Sequence, residues 1–155
     1  MRVILSIVIA LAIAITFHSC SKSANTNTAQ ADSAYMKATI QGLPFSATGA
    51  SGAYAGSVSS GGVTTLTIYG VAANGQAVTI ALINSTGGGI TQFATGNGSA
   101  DYYPSGGLKG SYSYAVSGSV NISAISPNLV GTFSFKTSDI PSETIANGSF
   151  SVPAP

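Results

Sequence analysis

The side chains that could carry chemistry in this chain are one cysteine, four acids, seven tyrosines and a large set of hydroxyls. The cysteine, Cys20, has the most specific setting. Ahead of it, Arg2 gives a short positive start, and Val3 to Phe17 is an apolar run broken by Ser6 and Thr16. Phe17-His18-Ser19-Cys20 then puts a small residue directly before the thiol. That order marks a secretion leader rather than part of a domain. The run is shorter than the roughly 20 apolar residues that span a bilayer as a helix. A single cysteine in an exported chain has no internal partner. The predicted reaction is cleavage between Ser19 and Cys20 with acylation of the Cys20 thiol. Several acyl chains anchor a protein stably, at ~0.8 kcal/mol per buried methylene.

The remaining chemistry is sparse. His18 is the only histidine and lies in the leader, so Ser-His-Asp and Cys-His arrangements and the usual zinc sites are excluded beyond it. A serine–lysine pair would have to use Lys37, Lys109 or Lys136, each flanked by residues typical of strand or turn surfaces. A glycosidase needs two carboxylates across a cleft. Asp139 and Glu143 flank Pro141 in a loop, where turn chemistry alone accounts for them. Asp101 is the more interesting acid, because Tyr102-Tyr103 follows it. No Asp-x-Asp-x-Asp-Gly calcium loop is present. The glycine clusters at 61–62, 87–89 and 106–107 lack the Gly-Lys-Ser/Thr ending of a phosphate loop. The expectation is a non-enzymatic chain with no cofactor and no metal.

Tyrosines are the best ligand-binding candidates, since each joins an apolar body to a polar tip. Tyr112 and Tyr114 share a parity with Val116, Val120 and Ile122, which predicts core packing for both. Tyr102 and Tyr103 fall on opposite faces of an extended chain, so Tyr102-Tyr103 is the candidate ligand-binding pair. The absence of tryptophan weakens the case for a glycan platform.

Charge narrows the partners further. After the leader, Lys22, Lys37, Lys109 and Lys136 are balanced by Asp32, Asp101, Asp139 and Glu143, with no arginine. Nucleic-acid binding needs clustered cations that displace counterions, so it is excluded. Solubility rests instead on Ser, Thr, Asn and Gly.

The elements that must position these residues read as strands. Residues 20–33 form a lipidated cysteine and a polar tether, because Ser21 to Ser33 holds no large aliphatic or aromatic residue and cannot offset its chain entropy by burial. As a flexible coil it reaches ~20 Å. Residues 34–155 form a single domain of period-two segments. Met36, Ala38 and Ile40 alternate with polar neighbours, and Phe45 opens a second short strand. Further strands are predicted over 53–58, 63–71, 78–82, 90–94, 101–103, 111–122, 129–136 and 145–152. Asn74-Gly75 predicts a tight hairpin turn. No window keeps helical spacing, and each glycine would cost a helix interior about 1 kcal/mol. The fold class is therefore all-β, read as an antiparallel two-sheet β-sandwich of about 8–10 short strands. An up-and-down β-barrel is the alternative, and it would offer an interior pocket.

Three segments carry a resemblance. They are 36–47 (MKATIQGLPFSA), 117–123 (SGSVNIS), and Gly131-Thr132-Phe133-Ser134-Phe135 with the closing Asn147-Gly148-Ser149-Phe150. Together they resemble a family of small Bacteroidota lipoproteins built on a domain of unknown function. The resemblance implies a β-rich exported domain behind a lipid anchor and transfers no functional residue other than Cys20. Asp32-Ser33-Ala34 resembles the O-glycosylation sites of Bacteroidota, which predicts a sugar on Ser33, readable as an added hexose in the intact mass of native protein. Ser21 after the cysteine argues against inner-membrane retention. Ser21-Lys22-Ser23-Ala24 lacks the acidic run associated with surface export. The expected address is the outer membrane, lipid-anchored, with the periplasm-facing side favoured over the cell surface. The expected partners are the membrane and an envelope protein or glycan. Three roles are expected in turn: a structural or interaction domain, an outward-facing carbohydrate- or protein-binding module, and a lipocalin-like carrier of an apolar ligand.

Overall fold

The computed structural model describes residues 33–85 and 87–155. Cys20, Ser19 and the tether before Ser33 lie outside the described residues. Ten strands follow in order: β1 (Tyr35–Ile40), β2 (Leu43–Thr48), β3 (Ala53–Ser60), β4 (Val63–Val71), β5 (Ala77–Ile83), β6 (Gly89–Gln92), β7 (Gly98–Tyr103), β8 (Ser113–Ala124), β9 (Asn128–Thr137) and β10 (Thr144–Pro153). Short 3-10 turns occupy Phe93–Thr95 and Gly107–Lys109. The period-two segments of the sequence become strands nearly where expected. The strand expected over 90–94 stops at Gln92, where Phe93 turns into the core and Gly96 adopts a left-handed conformation. At Asn74-Gly75 only Gly75 has a positive φ, and the Asn74 carboxamide oxygen accepts from the Gln76 backbone N–H.

Every strand pair is antiparallel, and all ten strands belong to one sheet in the order β2-β1-β10-β9-β8-β7-β5-β4-β3, with β6 also on β8. The all-β antiparallel class is thus present. The two layers of the expected sandwich are joined into a nearly closed, barrel-like sheet, closer to the up-and-down alternative. The reason is β8. Its N-terminal end pairs with β7 through Tyr114↔Asp101 and Ser113↔Tyr102. Its C-terminal part pairs with β6, and its other edge runs along β9. The first and last strands, β1 and β10, also pair, so the open seam lies between β2 and β3.

The core is continuous across the sheet. Met36 on β1 lies directly against Gly70 on β4, where a Cβ would stand 2.5 Å from the Met36 sulfur. A ring cluster fills one half. Phe93 meets Phe135 edge-on at 5.9 Å between centroids, and Phe133 lies 6.3 Å from both Phe135 and Phe150. Each of three rings has a glycine as its cross-strand partner: Phe150↔Gly131, Phe133↔Gly148 and Phe135↔Gly118. Glycine in a strand marks such a close approach. The interior holds Met36, Ile68, Ile80, Tyr102, Ile145 and Phe150 essentially without exposure.

A cross-strand bulge then changes which face of β8 is buried. Ala115 pairs with Thr137 and Ser117 with Lys136, so Val116 is one residue extra. Before it, Ser113 and Ala115 point inward; after it, Val120 and Ile122 do. Tyr112 and Tyr114, expected in the core by parity with Val120, are instead 58% and 57% exposed. A one-residue slip moves every side chain to the other face.

Gly131→Ala tests the glycine–phenylalanine pairing. Its Cβ would stand 2.6 Å from the Phe150 ring. Overpacking of this kind costs about 1–3 kcal/mol, so urea unfolding is expected to show a loss in that range. An unchanged midpoint would contradict the pairing.

Candidate functional site

The outer faces of the two halves of the sheet differ in chemistry. On β8, β9, β10, β1 and β2 one row in register runs Asn121–Thr132–Ser149–Lys37–Ser46. An open groove of ≈ 580 Å³ lies there, lined by Ser119, Asn121, Thr132, Ser134, Asn147 and Ser149 among others. On β3, β4, β5, β7 and β8 the corresponding row runs Tyr54–Tyr69–Thr79–Asp101–Tyr114. With strands ≈ 4.8 Å apart, that row is roughly 19 Å long. Tyr103 stands beside it, one position further along the same face of β7.

Each position follows from local structure. Tyr69 shares the outer parity of Thr65 and Thr67 on β4, opposite Ile68 in the core. Its ring stacks on Tyr54 with centroids 4.7 Å apart and 19° between planes. Such pairs contribute about 0.5–1.5 kcal/mol beyond burial. Tyr103 lies against Tyr112 at 5.4 Å. Tyr112 and Tyr114 reach this face because the bulge at Val116 leaves the start of β8 with the opposite parity.

Asp101 sits in the middle of the row. The Thr79 hydroxyl donates to its Oδ2 at 3.2 Å. Burial raises the Asp101 carboxyl above the ordinary value of 3.8, and the Thr79 hydrogen bond opposes that shift. Burial also raises the Tyr103 phenol, with the Asp101 charge acting in the same direction and Thr79 against it.

The sequence-predicted pair divides. Tyr103 belongs to the outer face. Tyr102 is 2% exposed and its hydroxyl accepts from Gln76 Nε2 at 2.9 Å, so it is a core residue and not part of the outer face. Tyr54 and Tyr69 carry no signal in the sequence beyond being tyrosines, and parity assigned Tyr112 and Tyr114 to the core. Their common face depends on register between distant strands. The acids Asp139 and Glu143 are separate from the row. Asp139 accepts from the Ser113 hydroxyl. Burial, then the Asp139 charge, raises Glu143. Among the described residues no group of His, Cys, Asp or Glu is placed to hold a metal. Ser33 is exposed at the first described position.

The hydroxyl groove and the tyrosine row are not equivalent as binding surfaces. A hydroxyl or amide exchanges one hydrogen bond with water for another and gains about 0.5–1.5 kcal/mol net. An aromatic ring adds apolar burial at about 25 cal/mol per Å². The tyrosine row is therefore the stronger site. Comparison of this chain with protein-family models, with curated proteins and with solved structures finds no match.

Asp101 makes stability depend on pH in a defined direction. A carboxyl whose folded value is raised favours the fold below its unfolded value, and that contribution is lost as pH rises through the folded value. Asp101→Asn is expected to raise the melting temperature at pH 7, with the gain shrinking to nothing below pH 3.8. Thermal scans across pH check this; a lower melting temperature at pH 7 would contradict it.

Proposed function

We propose that this chain is a lipid-anchored, non-enzymatic recognition domain of the cell envelope that holds a glycan along its outer tyrosine row. The observation that carries the reading is the register of Tyr54, Tyr69, Asp101 and Tyr114 across one sheet face, with Tyr103 and Tyr112 beside it. Ring surfaces cover the apolar face of a sugar, while phenol hydroxyls, Thr79 and Asp101 exchange hydrogen bonds with its hydroxyls. The row is built on strands, so it is held in place before a ligand arrives, which reduces the entropy lost on binding.

The anchor reading rests on Arg2, the apolar run to Phe17 and Ser19-Cys20. With Ser21-Lys22-Ser23-Ala24, which lacks the acidic run associated with surface export, the reading is an outer-membrane domain facing the periplasm, in keeping with the Bacteroidota lipoprotein family that the strand motifs resemble. Metabolic labelling with palmitate is expected to mark the protein and to miss Cys20→Ala. Label retained in that variant would contradict the anchor.

A library of neutral oligosaccharides tests the binding reading. A ligand is expected to raise the melting temperature by mass action. Tyr69→Ala and Tyr103→Ala are expected to weaken it at least ~10-fold, about 1.4 kcal/mol. Binding unchanged in both variants, or no binding across the library, would contradict the tyrosine row as the site.

A further inference from the structure

The charge pattern of the row selects among glycans. Within Tyr54–Tyr69–Thr79–Asp101–Tyr114 the carboxylate of Asp101 is the only ionisable group other than phenols. It is half-buried, its hydrogen-bond partner is the Thr79 hydroxyl, and among the described residues no lysine pairs with it. A carboxylate in this partly dry setting, with no cation beside it among the described residues, is costly unless something else compensates. Around it stand aromatic rings. Tyr114 is its direct cross-strand neighbour, Tyr103 is two residues on along the same face, and Tyr69 lies one strand beyond Thr79. The faces of aromatic rings carry partial negative charge and attract ammonium groups. A carboxylate and ring faces that all favour positive charge make a poor site for an acidic sugar.

We infer that the tyrosine row takes an amine-bearing glycan, with a protonated sugar amine seated against Asp101 and the neighbouring tyrosine rings. This inference rests on the glycan reading above and adds the ligand's charge to it. The amine donates hydrogen bonds to Asp101 while the sugar ring lies along the tyrosines. Converting the amine to an acetamide removes both the charge and the donors that Asp101 uses. A uronic acid places like charge against Asp101.

The test is a titration of the full chain, carrying isotope-labelled tyrosine and observed by NMR, with three probes: tetramethylammonium chloride, a glucosamine tetramer and its N-acetylated counterpart. Tetramethylammonium is expected to shift ring signals of Tyr69, Tyr103 and Tyr114 beyond a sodium chloride control. The glucosamine tetramer is expected to bind about tenfold more tightly than the acetylated one. Asp101→Asn is expected to abolish both the ammonium shifts and the preference while keeping the weaker binding of the acetylated tetramer. Equal affinity for the two tetramers, or a preference that survives in Asp101→Asn, overturns the inference and leaves the glycan reading standing. Ammonium shifts without binding of either tetramer overturn the amine-glycan inference, because the cation site then stands apart from any sugar. Silence from all three probes overturns it outright.

Discussion

β8 is shared by both halves of the sheet, and it cannot serve both with one set of inward positions. Its first residues must bury Ser113 and Ala115 beside β7, and its later residues must bury Val120 and Ile122 beside β6 and β9. A regular strand keeps one parity throughout. The extra residue at Val116 resolves the conflict, and Gly118, at φ 125°, lies opposite Phe135, whose backbone and Cβ occupy the space a side chain at 118 would need. Without that change of face Tyr112 and Tyr114 would turn inward in place of Ser113 and Ala115.

The chemistry of the surface follows from the same constraint. Tyr114 comes into register with Asp101, and Tyr112 comes against Tyr103. The later part of β8 instead contributes Ser119 and Asn121 to a hydroxyl-lined face. One strand therefore supplies an aromatic surface to one half of the barrel and a well-hydrated surface to the other. The buried side remains consistent. Among the described residues no buried side-chain nitrogen or oxygen lacks a hydrogen-bond partner, as expected of a well-specified interior. Asp101, and Glu143 away from the row, are nonetheless shifted toward their neutral forms by burial, Asp101 in spite of its partner Thr79. Groups held against their preferred ionisation concentrate at functional sites.

Much of the strand pattern was legible in the sequence, because alternation is a local signal. Met36, Ala38 and Ile40 on β1, and Leu129, Gly131, Phe133 and Phe135 on β9, are inward in the structure as their spacing requires. The opposite faces of Tyr102 and Tyr103 were legible for the same reason. What alternation could not give is which of the two faces inward, since that depends on Val78 and Ser113 lying across from Tyr102. It also could not show a bulge, because an inserted residue leaves the hydrophobic pattern of β8 looking regular from Tyr112 to Ile122. The glycines of the Gly131-Thr132-Phe133-Ser134-Phe135 and Asn147-Gly148-Ser149-Phe150 segments were visible as residues. Their role as partners of Phe150 and Phe133 belongs to strand register. The expected leader and the proposed anchor at Cys20, by contrast, lie outside the described residues and rest on sequence alone.

The tyrosine row exists only if Tyr112 and Tyr114 face water and Tyr102 does not. Solvent relaxation of tyrosine ring signals by a soluble gadolinium chelate reads this residue by residue. Strong broadening of Tyr112 and Tyr114 with protection of Tyr102 is the result the bulge at Val116 predicts. Protection of Tyr112 and Tyr114 with broadening of Tyr102 would mean that β8 keeps one parity throughout, and the tyrosine row would not exist.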